Sequence, residues 1–162
     1  MSKFIVVSSG LAVATLMSLG GCQRADNQNA SVVAATEVPL AKTAADPTLQ
    51  WGPCPAVFPQ GCEIAVLHGD PARPNADVFL RVPAGYAIPS HFHTSAERMN
   101  LVSGRLQVQY QGSPAAMLDP GSYAYGPAKL PHKASCLSDQ QCTLFIAFEG
   151  PVDVEPFSGA LD

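Results

Sequence analysis

The segment RLQVQYQ, residues 105–111, alternates without a break. Leu106, Val108 and Tyr110 share one parity, and Arg105, Gln107, Gln109 and Gln111 the other. Side chains two residues apart share a face in an extended chain, so this stretch reads as a strand with one dry and one wet face. Neighbouring segments repeat the pattern. DVFLRVP (77–83) is strand-like and runs into a Pro-Ala-Gly-Tyr turn. Asp119-Pro120-Gly121 is a tight turn before SYAYG, and CTLFIAFEG (142–150), nearly all apolar, fits a buried strand. The 15 prolines, 13 glycines and 14% charged residues suit such a turn-rich chain. After residue 46 no helical stripe appears, apart from a short turn around Thr94-Ser95-Ala96-Glu97. Short strands at a spacing of about 8–12 residues predict an all-β sandwich or small barrel in a single domain.

The two ends of the chain read differently. Residues 1–21 carry one basic residue, Lys3, then an apolar run rich in Ser and Gly, and read as a secretory signal. Leu19-Gly20-Gly21-Cys22 resembles the lipobox of bacterial lipoproteins. That resemblance implies cleavage before Cys22 and its lipidation, with the protein anchored in the bacterial cell envelope and facing the periplasm, the outer membrane favoured over the inner. The alternative is an ordinary signal peptide with an incidental cysteine. Residues 22–46 mix small and polar types without a period and read as a flexible tether. The folded domain is expected over 47–157, with 158–162 as a tail. A net charge of −4 excludes the basic footprint of a nucleic-acid binder.

Five cysteines are present. With Cys22 assigned to lipid, Cys54, Cys62, Cys136 and Cys142 remain, and an oxidising compartment permits disulfides among them. Three connectivities exist in principle; the local one, Cys54 with Cys62 and Cys136 with Cys142, is preferred because CLSDQQC looks like a hairpin loop with close ends. Free buried thiols are the alternative.

The chemistry concentrates in GYAIPSHFHTSAERMNLVSG, residues 85–104. In a strand His91 and His93 project from one face, where two imidazoles can share a metal ion. Glu97 keeps their parity, and a turn at Thr94-Ser95-Ala96 would fold its carboxylate back towards them. Met99 and Leu101 continue that parity, so the face looks into the core, where imidazoles and a carboxylate need compensation such as a divalent cation. Pro131 favours an extended start at His132, which would complete the set if its strand crosses opposite His91. The bland alternative is a hydrogen-bonded polar cluster without metal. Arg81, Tyr110 and Tyr123 are candidates for the pocket lining, Arg98 is expected in solvent, and His68 is read as holding a Gly-Asp-Pro turn. Cys136 shares the parity of His132 and would point near the metal if it were not paired with Cys142.

Gly85, His91-x-His93, Glu97 and Gly104, at these spacings, resemble the first motif of the cupin superfamily in full. Gly121, Pro127 and His132 resemble the second motif in part, with Lys129 where the family usually has Gly and Cys136 where it often has Asn. Trp51-Gly52-Pro53 and His68-Gly69-Asp70-Pro71 resemble a group of small single-domain cupins related to the ChrR-like module of zinc-binding anti-sigma factors. The resemblance implies a double-stranded β-helix (jelly roll) and one divalent ion, Zn, Fe, Mn or Ni, held by His91, His93, Glu97 and His132. It implies oxygenase or isomerase chemistry on a small molecule, with Glu97 as ligand and candidate catalytic base. A non-catalytic metal or small-ligand sensor is the alternative. Cupins also pair through edge strands, so a homodimer is an expected partner state.

Overall fold

The structure is a computed structural model that describes residues 38–162. The signal segment, Cys22 and the first part of the tether lie outside the described residues. A compact unit runs from Leu40 to Asp162.

Eleven strands are present among the described residues: β1 (Gly52–Pro53), β2 (Glu63–His68), β3 (Ala76–Val82), β4 (Ala87–Phe92), β5 (Glu97–Ser103), β6 (Leu106–Tyr110), β7 (Ala116–Leu118), β8 (Tyr123–Gly126), β9 (His132–Cys136), β10 (Cys142–Phe148) and β11 (Glu155–Pro156). They form a six-stranded sheet ordered β1-β2-β3-β10-β5-β8 and a five-stranded sheet ordered β11-β4-β9-β6-β7. All pairings are antiparallel. This is the expected jelly roll. The described residues contain no helix; Thr94-Ser95 form a bend rather than a helical turn.

The alternation at 105–111 works as expected. Leu106 and Val108 are each 1% exposed and pack against residues such as Leu101 and Leu144. Burying side chains of this size contributes about 1.5–3 kcal/mol each, which holds the two sheets face to face. β10 is nearly all apolar because it is central, pairing with β3 on one side and β5 on the other. Its inward residues, Leu144, Ile146 and Phe148, enter the core, while Phe145 meets Phe79 edge to face outside it.

Two local features matter for the site. β4 and β9 pair with a shift in register between Ile88 and His91. The irregularity at Pro89-Ser90 lets Ile88 and His91, three apart, both face inward. At the opposite end, Gly104 adopts φ +85°, and a Cβ there would lie 2.8 Å from Cys142 Sγ.

The disulfides are Cys54–Cys62 and Cys136–Cys142. The second closes the β9–β10 connection, at the opposite end of β9 from His132. Cys136 therefore does not reach the histidines. The last five residues do not hang free: Leu161 is buried, its carbonyl accepts from Gly112 N at 3.2 Å, and the Ala160 carbonyl accepts from the Gln111 side chain.

Candidate metal centre

Three elements build the site. His91 is the next-to-last residue of β4, and His132 begins β9 directly beside it, the two being cross-strand partners. His132 is thus a neighbour of His91 in the same sheet; it does not cross the barrel opposite it as the sequence suggested. The chain then leaves β4 through His93 and residues 94–96 and enters the other sheet at Glu97. Glu97 is the group that arrives from across the core. The bend at Thr94-Ser95, where the sequence led to a turn being expected, separates β4 from β5 and brings Glu97 beside the histidines.

All four side chains are buried, His91 at 3%, His93 at 8%, His132 at 4% and Glu97 at 2% exposure. Ligand atoms of the three histidines lie within 4.8 Å of one another and can hold a metal ion. Each ring is aimed by its other nitrogen. His91 Nδ1 donates to the Pro89 carbonyl at 2.7 Å, His132 Nδ1 to the Leu130 carbonyl at 3.1 Å, and His93 Nδ1 to the Asp153 carbonyl. A carbonyl only accepts, so each Nδ1 carries the proton and each Nε2 is left with its lone pair. This carbonyl-backed imidazole is the arrangement that orients metal-ligating histidines.

Two of the Nε2 atoms, those of His132 and His93, face the carboxylate. Glu97 Oε1 lies 3.1 Å from His132 Nε2, and Oε2 lies 3.6 Å from His93 Nε2. The closer approach does not satisfy Oε1, which is buried without a well-formed hydrogen bond. Lone pairs opposed in a dry interior call for a cation between them. The donor set fits a divalent ion: three imidazoles supplied by fixed backbone contacts, and an orphaned carboxylate oxygen beside them. The titration tendencies divide: that of His91 favours the neutral ring with its free lone pair, while those of His132 and Glu97 favour an ion pair between them when no metal is bound. Burial, with the nearby His132, pushes the pKa of His91 down to about 3. Burial also opposes charge on His132, but its contact with Glu97 outweighs this and raises its pKa. Burial resists ionisation of Glu97 as well, yet His132, then His93 and His91, hold its pKa below the usual carboxylate value.

A cavity of about 50 Å³ adjoins these groups. Phe58, on the disulfide-closed loop 54–62, meets the His91 ring edge to face at 5.0 Å. Phe148 meets His93 in the same way at 5.3 Å. Behind His132 stands Tyr110, ring centroids 5.2 Å apart, with its hydroxyl buried and unpartnered. Burial, then the charge on Glu97, raises the pKa of that phenol. Gly126 leaves room for the carboxylate, since a Cβ there would lie 2.8 Å from Glu97 Oε1.

Other sequence candidates fall outside. Arg81 lies over Trp51 and pairs with Glu63, Arg98 pairs with Glu149 on the surface, and Tyr123 is 62% exposed. His68 is exposed at the end of β2 and does not line the cavity. Asp153 was missed. Its carbonyl fixes His93, and its carboxylate accepts from Thr94 N at 2.8 Å and from the Thr94 hydroxyl. Phe58 was missed too; only its place between two bonded cysteines hinted at a role.

Comparison with known proteins adds the following. Residues 42–153 match the ChrR cupin-like domain. No curated protein matches the sequence. Among solved structures, one from a study of the DMSP lyases RdDddP and RnDddQII is similar with a TM-score of 0.60 and 20% identity, covering 68% of this chain and 63% of that one. The DMSP lyase DddQ from Ruegeria pomeroyi gives 0.57 and 22%, covering 69% and 64%. An RmlC-like cupin from Shewanella frigidimarina gives 0.54 and 18%, covering 65% and 86%. The chain therefore spans less than two thirds of either lyase structure, and at these identities the likeness establishes the fold alone.

Proposed function

The chain belongs to the ChrR cupin-like domain family, and from that premise we propose that it is a metal-dependent cupin acting on a small molecule. His91, His93 and His132 would hold one divalent ion, with Glu97 as fourth ligand or as proton acceptor beside it. When bound, such an ion supplies Lewis-acid polarisation of a ligand atom. The observation that carries the reading is the convergence of three carbonyl-backed imidazoles on a buried carboxylate at the edge of an open, apolar cavity. A purely structural ion would have no use for the adjoining space.

The protein would sit in the bacterial envelope, lipid-anchored through Cys22 and facing the periplasm. Two disulfides within the domain support an oxidising compartment. A chain that folds there takes its metal there, where the Irving–Williams order favours zinc and copper over manganese and iron.

A second reading is a non-catalytic binding or sensing module. It is favoured by the scarcity of acid–base groups: besides the four site residues, Asp153 is the one titratable side chain lining the cavity among the described residues, and Thr94 holds it. Metal analysis of the exported protein, with oxygen consumption and turnover followed on a panel of small phenols, diketones and carboxylates, separates the two. About one divalent ion per chain with turnover supports the enzyme, and the same ion with binding alone supports the module. A wild-type protein that takes up no ion sinks both.

A further inference from the structure

We propose that the cavity selects a ligand with one metal-binding head, such as a carboxylate, on a short hydrocarbon body, and rejects a second anionic group. This rests on reading the His91, His93, Glu97 and His132 cluster as a metal centre, and it concerns the walls. Away from the cluster the cavity is bounded by side chains such as Ile88, Met99, Val108, Leu144, Ile146 and Phe148. No Lys, Arg, Asn, Gln, Ser, Thr or Tyr lines it among the described residues. Asp153 is the remaining polar side chain, and it is already committed: its carboxylate accepts from Thr94 and its carbonyl from His93. Its charge also repels an anion. A ligand therefore finds a polar partner at one point alone, the His/Glu cluster. Everything beyond the head is stripped of water against hydrocarbon, which rewards methylene groups and penalises any unpaired charge. The cavity, at about 50 Å³, has room for a few water-sized groups, which keeps the body short.

The test uses the disulfide-bonded exported protein loaded with Co(II), whose visible spectrum reports changes around the ion. Cobalt stoichiometry is measured first, then acetate, propionate, butyrate and succinate are titrated. Affinity is expected to rise about fourfold for each added methylene. Butyrate and succinate share a carbon count and differ by a carboxylate in place of a methyl, and succinate is expected to bind at least about tenfold more weakly. A flat series, or succinate binding as tightly as butyrate, overturns the proposal while full cobalt loading leaves the metal centre standing. Failure to bind cobalt overturns both together.

Discussion

Strands β9 and β10 have two unlike ends. At one end lie His132 and Phe148, bordering the cavity with His93 between them. At the other, Cys136 and Cys142 are bonded, both 0% exposed, close under Gly104. The far end is dense and covalently closed, and no buried polar side chain there lacks a partner. The site end holds a cavity, opposed lone pairs, an unpartnered Glu97 oxygen and an unpartnered Tyr110 hydroxyl. β9 lies in the five-stranded sheet and β10 in the six-stranded one, so each is hydrogen-bonded to its own sheet neighbours. The two sheets and the closed far end position the site, whose own polar groups are incompletely partnered.

The largest effect is expected from His132→Ala. It removes one of three imidazoles and strands the Glu97 carboxylate, whose remaining close partner is His93 at 3.6 Å. Metal content should fall to near zero, and stability should drop by about 3 kcal/mol or more, read from urea unfolding and elemental analysis. The matched change at the far end is Cys136→Ala with Cys142→Ala. Opening that short loop should cost about 2 kcal/mol while metal content stays at the wild-type level. If the disulfide variant also loses its metal, the two ends are coupled and the division drawn here breaks.

Next comes Asp153→Ala. The backbone carbonyl that fixes His93 remains, but the carboxylate that ties it to Thr94 is gone. Metal affinity, measured by competition with a chelator, should fall about tenfold with little change in unfolding midpoint. Unchanged affinity would mean that the pairing of β11 with β4 places the carbonyl without help.

Asp153 also shows where sequence reading stops. The four ligand-type residues were legible because their spacing is a side-chain pattern, and the strands at 105–111 and 142–148 because burial imposes a period. A residue that works through its carbonyl leaves no such mark. Nor does a register shift: nothing in Pro89-Ser90 says that Ile88 and His91 will face the same way. EIAVLH, now β2, is an apolar run with its alternation blurred, since Ala65 is buried while Val66, next to it, is 45% exposed near a register shift. The placement of His132 beside His91 follows from sheet order, which long-range pairing decides.

The slightest change is expected at Lys129. This residue, at the position where the resemblance to the second cupin motif leads one to expect glycine, adopts a glycine-like backbone, φ +64°. Its N–H donates to the His93 carbonyl at 2.7 Å, so the strained residue is one contact from a candidate ligand. A left-handed conformation costs a residue with a Cβ about 1–2 kcal/mol. Glycine removes that cost but gives back about 0.5–1 kcal/mol through the freedom of the unfolded chain. Lys129→Gly should therefore stabilise the protein by about 0.5 kcal/mol, seen as a small rise in the urea midpoint, and leave metal affinity as it was. Should affinity fall while stability rises, the Lys129 conformation is part of what stiffens His93, and strain at the site end serves the centre directly. The same substitution at an unstrained, exposed position such as Lys133 in β9 should destabilise, which separates a local backbone effect from loss of a positive charge.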